Sequence, residues 1–270
     1  MLSISSHPAA SNPSPQQKQT ATATADPSNT TASATPSPAP SSATASSPAA
    51  SSPATSPTDS VALSKTAKAA LSGSLADKIA YYKQYMPTRA GFSSTALAEA
   101  VANPGGQSFS AGKSFSQVAT AARAELNKQY STMAASGAAY DPDSRVDRNS
   151  AFGNLDRRAL AAVANNQGGL FTKQEQQVAA NLMAQQRSLA IGIYSGPPEL
   201  KGTFIDRFAG HETARQQANI AFLDDVSDDE KATGAWASAR ADAENAAQGE
   251  EQDAGLEALK LRLSAQDGMQ

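Results

Sequence analysis

The chain has 270 residues, a formal net charge of −3 and no cysteine, which excludes disulfides, thiolate metal sites, iron–sulfur clusters and cysteine nucleophiles. The acidic residues crowd between Leu223 and Asp253, where only Lys231 and Arg240 oppose them. That excludes a phosphate-binding nucleic-acid surface there, and no run approaches the roughly eighteen apolar residues of a membrane span.

Between Ile4 and Val61 there is no Val, Ile, Leu, Met, Phe, Tyr or Trp. Such a segment has little apolar area to set against a backbone ordering cost of about 1–2 kcal/mol per residue. Residues 1–60 are therefore expected to be a disordered tail rich in Ser, Pro, Ala and Thr. The tail lacks the apolar block of a cleaved secretory signal. "MLSISSHPAASNPSPQQKQT" is Ser- and Gln-rich, with no acidic residue before Asp26. This composition resembles the uncleaved export signals of type III secretion substrates. Location is thus expected to be cytoplasmic, or secreted without a cleaved signal.

Residues 61–112 read as short helices and a polar linker. "DSVALSKTAKAAL", Asp59 to Leu71, is a weak Ala-rich helix. Leu75, Ile79, Tyr82 and Met86 lie on one face of a second helix that Pro87 stops. Ser94 to Asn103 predicts a third, closed by Pro104-Gly105-Gly106, and a polar loop follows through Lys113.

Residues 113–264 read as the main helical domain. Ser114-x-x-Gln117 is a capping box, followed by Phe115, Val118, Ala122, Leu126, Tyr130 and Met133 at spacings of three and four, up to Gly137. Tyr140 to Ser150 reads as a charged turn region. Its Asp141, Asp143 and Asp147 alternate like a calcium loop, but it lacks the sixth-position Gly and places Phe152 where a bidentate Glu belongs. Asn154 is expected to cap a helix from Leu155 to about Asn165, with Leu155, Ala159, Leu160 and Val163 inward. Gly168 and Gly169 break it. Thr172-x-x-Glu175 is a second capping box, opening a helix with Val178, Leu182, Met183, Leu189 and Ile193. After "SGPPELKG" a helix is expected from Glu212 to Leu223. Ser227-x-x-Glu230 is a third capping box, expected to open a helix containing Trp236. Leu256 to Ser264 forms a short last helix. No segment alternates like a strand, so the fold class is all-α, an irregular bundle behind a long tail.

The segment "ANNQGGLFTKQE", Ala164 to Glu175, overlays a twelve-residue EF-hand loop. The metal candidates in it are Asn166, Thr172 and Glu175, with the Leu170 carbonyl. Ala164 and Gly168 stand where side-chain oxygens belong, which leaves Glu175 as the one carboxylate. The same residues also make a helix stop and a helix start, and the hairpin corner is the preferred reading. His211 is the histidine outside the tail; "HETAR" has Arg215 where a zincin needs its second His. There is no G-x-S-x-G, P-loop or G-x-G-x-x-G. Arg157-Arg158 can meet a phosphate or an acidic partner, and a solvated helix face is the preferred reading. No catalytic residue and no cofactor is assigned, and the chain is not expected to be an enzyme.

"LDRRALAAVANNQGGLFTKQEQQVAANLMAQQ" and "FLDDVSDDEKA" resemble a family of uncharacterised bacterial helical proteins. The resemblance implies a bacterial source and brings no activity. The functional expectation is a non-enzymatic interaction protein with a protein partner, exported by a type III-like route. The alternatives are a calcium-responsive EF-hand-like module and an enzyme with no identifiable site.

Overall fold

The computed structural model describes residues 69–267. The expected tail, its export-signal resemblance and the first ten residues of the Asp59–Leu71 helix lie outside them; Ala69 to Ser72 form a turn of helix. The fold is all-α, with no strand among the described residues. In chain order the helices are α1 (Leu75–Lys83), α2 (Thr95–Ala102), α3 (Phe115–Ala135), α4 (Arg145–Phe152), α5 (Arg157–Ala164), α6 (Lys173–Ala190), α7 (Glu212–Asp224), α8 (Asp228–Lys231) and α9 (Gly234–Asp267). Short 3-10 turns occupy Gln167–Gly169 and Pro198–Thr203.

The expected starts of α3 and α6 are present. Ser114 and Thr172 each accept from the N3 backbone amide, and Gln117 and Glu175 return the bond to the cap amide. A further capping box, Ser74 with Asp77, opens α1. The expected inward positions Val118, Ala122, Leu126, Met133, Leu155, Leu160, Val163, Val178, Leu182 and Leu189 are buried. They share one cluster with Tyr82, Tyr85 and Met86 and with Leu97 and Val101 of α2. The short N-terminal helices thus lie in the same core as α3–α6. Apolar burial contributes about 25 cal/mol per Å² and is the main term holding this cluster together.

Several expectations need correction. The charged stretch before Ser150 is not all turn, because Arg145–Phe152 is helical and Ser144 caps it by accepting from the Asp147 amide. It buries Ala151 and Phe152 together with the polar Asp147, Asn149 and Ser150: the Asn149 side chain donates to the Pro87 carbonyl at 2.9 Å, and the Arg89 amide donates to Ser150 Oγ at 2.8 Å. A search for apolar periodicity cannot find such a helix. Asn154 is not the cap of α5; its side chain donates to Glu125 Oε1. Asp156 is the cap, accepting from the Ala159 amide through Oδ1. Its Oδ2 takes the amides of Phe109 and Ser110 and the Ser110 hydroxyl, at 2.7 to 2.9 Å. The polar loop ahead of α3 is thereby tied to the core.

The helix opened by Ser227 lasts four residues, and Trp236 belongs to the next one. The expected Leu256–Ser264 helix is part of α9, a single helix of 34 residues. Leu75 and Ile193, both expected inward, are 43% and 47% exposed. Along α9, Ala243 is buried and Trp236, Ala239, Arg240 and Ala247 are half-buried, a stripe at spacings of three and four.

Candidate functional site

Two adjacent arginines organise the site. Asp156 starts α5 so that Arg157 and Arg158 fall in its first turn. Arg157 is 3% exposed. Its Nε and Nη2 donate to the Glu230 carboxylate at 2.7 to 3.1 Å. Its Nη1 donates to the Met183 carbonyl and Gln186 Oε1, both at 3.1 Å. The guanidinium also lies over the Phe222 ring, 4.7 Å from its centroid. Arg158 donates to Asp229 at 2.6 Å and to the Ser110 and Lys113 carbonyls. The expectation of a solvated arginine face is therefore wrong. Both carboxylate partners lie more than 70 residues later, so local pattern gives no sign of them. The same finding corrects the third capping box. Ser227 accepts from the Glu230 amide, but the Glu230 carboxylate turns to Arg157 instead of back to its cap. A fork-to-fork guanidinium–carboxylate pair is among the strongest side-chain contacts.

Next to this pair, α5, α6, α7 and α9 enclose a cleft of about 220 Å³, lined among others by Arg157, Met183, Arg187, Leu223, Glu230 and Trp236. Most of the other lining residues are alanines, so the walls are largely apolar. Trp236 is held from both ends. Its indole Nε1 donates to the Leu223 carbonyl at 2.8 Å, and its amide donates to Thr233 Oγ1. Thr233 Oγ1 in turn donates to the Glu230 carbonyl. The ring is therefore fixed relative to the ion pair.

Arg187 differs from Arg157. Its Nε donates to Asn219 Oδ1 at 2.7 Å, and no carboxylate of the described residues lies within ion-pair distance of it. Burial, and then the neighbouring Arg157 charge, hold its guanidinium below the ordinary arginine value, and the Asp242 charge offsets this in part. A half-buried cation repelled by its neighbour is stabilised by any anion that reaches it.

The loop Ala164–Glu175 places its three metal candidates differently. Asn166 sits in the left-handed region at φ 52°, and its Oδ1 accepts from the Phe171 amide at 2.9 Å. Gly168 and Gly169 also have positive φ, at 72° and 71°; glycine takes that conformation without steric cost. Thr172 and Glu175 come together as the capping box. The Glu175 carboxylate also accepts from Arg123 Nη1 at 2.8 and 2.9 Å and from the Tyr130 hydroxyl at 3.1 Å. Burial raises its pKa, but the Thr172 amide and Arg123 outweigh that, and the net shift is downward. The loop therefore brings Thr172 and Glu175 together around a guanidinium, and Asn166 closes a separate backbone turn. His211 is the N-cap residue of α7, with no cap bond from its side chain. No group of three His, Cys, Asp or Glu residues arranged for a metal occurs among the described residues.

Sequence reasoning missed Arg187 and paired Trp236 with the wrong helix. The available signal was compositional: Trp236 is the single tryptophan of the chain, on a helix otherwise rich in Ala and acidic residues. Comparison with protein-family models, curated proteins and solved structures gives no match.

Proposed function

We propose that the chain is a non-enzymatic helical interaction protein of a bacterium, exported by a type III-like route, and that it engages a protein partner through the Trp236 cleft. The observation that carries this reading is the chemistry of the cleft lining. Its titratable side chains are an arginine already neutralised by a glutamate and a second arginine. The Arg157 fork takes up the Glu230 carboxylate. Such a lining can bind and orient a ligand. Apolar walls with a few fixed polar groups are the usual make-up of a recognition site. The composition of residues 1–30 supports the export part of the proposal.

The test uses the full chain and an Ala184→Trp variant. Ala184 is exposed and lines the cleft, so the larger side chain fills the space without entering the core. A partner captured from the cell of origin by the wild type and lost with Ala184→Trp is the expected result. Equal capture by both chains removes the cleft from the interface and overturns the reading. For export, residues 1–30 fused to a reporter should leave a strain with a type III apparatus and remain inside one without it; retention in both rejects the route.

A further inference from the structure

The cleft combines three features that together define a ligand class: apolar walls of limited volume, a fixed indole, and one guanidinium with no carboxylate of the described residues within ion-pair distance. We propose that it takes the carboxyl terminus of a partner polypeptide, with an apolar last side chain against Trp236 and Met183 and the terminal carboxylate on Arg187. The inference rests on the cleft being the interface and names what enters it.

The size argues for a chain end. Drug-sized and cofactor sites occupy about 300–1,000 Å³, whereas this cleft holds about 220 Å³, enough for one residue and its carboxylate. The charge argues for an anion. Arg157, the other guanidinium in the lining, is saturated by Glu230, Met183 and Gln186. Arg187 has hydrogen-bonded only through Nε, to Asn219, so Nη1 and Nη2 have no hydrogen-bond partner among the described residues. A guanidinium presents parallel donors that match a carboxylate in a bidentate pair. The geometry of the chain end matches too. A terminal carboxylate and the last side chain leave the same Cα, so one residue can place an apolar group on the indole and its charge on the neighbouring arginine. Capture of a terminal carboxylate is a recurrent mode of peptide recognition.

Trp236 is the only tryptophan of the full chain, so its fluorescence reports on this cleft alone. The probes are N-acetyl-alanyl-alanyl-phenylalanine as the free acid, the same peptide as its C-terminal amide, and 3-phenylpropionate. Titrated into the full chain at low salt, the free acid should change the Trp236 emission with saturation. The amide should bind at least tenfold more weakly, and 3-phenylpropionate should bind more weakly than the peptide acid. Arg187→Gln, which can still donate to Asn219, should bring the acid down to the affinity of the amide, with circular dichroism unchanged. Arg187→Lys should fall between, because the charge remains and the fork is lost. Equal binding of acid and amide overturns the carboxylate assignment and leaves the cleft as an apolar interface. Binding of 3-phenylpropionate as tight as that of the peptide acid overturns the chain-end assignment in favour of a small organic acid. No response to any probe, together with unchanged partner capture by Ala184→Trp, rejects the cleft itself.

Discussion

Arg157 on α5 and Glu230 on α8 meet at 2.7 Å with side chains only 4% and 6% exposed. Removing one member of such a pair leaves the other charged and buried, a loss of about 3–5 kcal/mol. Glu230→Ala and Arg157→Met should each lower the unfolding free energy measured in urea by that amount. The double change, Arg157→Met with Glu230→Leu, should cost far less than the sum, since both charges leave together. Strict additivity in the double-mutant cycle would show that the two side chains do not interact.

Glu175 supports two things at once, the start of α6 and the position of Arg123. Loss of a capping box alone is worth about 1 kcal/mol. Since Arg123 and Tyr130 also lose their acceptor, Glu175→Ala should cost more, about 2–4 kcal/mol. The loss should be the same in calcium and in chelator. For the wild type, even a site with Kd near ~1 mM would add only about 0.4 kcal/mol at equal calcium. A rise of several degrees in Tm with millimolar calcium, absent in Glu175→Ala, would make the loop a metal site.

Acid should destabilise the fold through identifiable groups. Asp147 is held below the usual carboxylate range first by its hydrogen bonds from Arg89, and Asp206 first by Arg215. Glu175 is shifted the same way. A group whose folded pKa is depressed contributes stability that is complete above its unfolded value, about 3.9 for Asp and 4.3 for Glu. That contribution is lost as pH falls through the folded value. Melting temperature should therefore be insensitive to these groups between about pH 6 and 8 and decline below about pH 4. The decline should be shallower in Glu175→Gln. An identical acid limb in wild type and variant would remove Glu175 from the account.

Gly153, which follows α4, is required by close approach and not by its backbone angles. A Cβ there would lie 1.8 Å from the Ser93 carbonyl oxygen and 2.5 Å from that of Asn149. Both are backbone atoms, so relief needs the chain itself to move. Gly153→Ala should lower stability by about 1–3 kcal/mol. Gly202, with nothing within 4 Å of its Cβ position, is the control, and Gly202→Ala should stay within about 0.5 kcal/mol. Equal urea midpoints for the two variants would show that Ser93 gives way freely.

The parts legible in the sequence were those written within a few residues. Ser114 with Gln117 and Thr172 with Glu175 announce their helices because the cap and its return bond are three positions apart. Val118, Ala122 and Leu126 repeat at helical spacing and are buried. The fold class followed from such features. The rest depends on partners distant in the chain. Helix α4 was hidden because three of its buried residues, Asp147, Asn149 and Ser150, are polar, and the apolar pair Ala151 and Phe152 sits together at its end without helical repeat. Arg157 and Arg158 look solvated until Glu230 and Asp229 are brought to them. The cleft was invisible for the same reason: Arg187 stands out in its lining only once Glu230 has been brought to Arg157.

The aromatic residues of α1 and the turn after it find their partners late in the chain. The Tyr85 hydroxyl donates to the Thr203 carbonyl across 118 residues, and the Tyr81 hydroxyl accepts from the Ile205 amide across 124. Tyr194 and Phe204 pack edgewise or tilted on the same group. During synthesis at about 5–20 residues per second, α1 leaves the ribosome roughly 6–24 s before residue 203 does. For that interval Tyr81, Tyr82 and Tyr85 form an uncovered aromatic face on nascent chain. Closing so long a loop is also slow in refolding. The aromatic group should therefore be the last part of the molecule to consolidate.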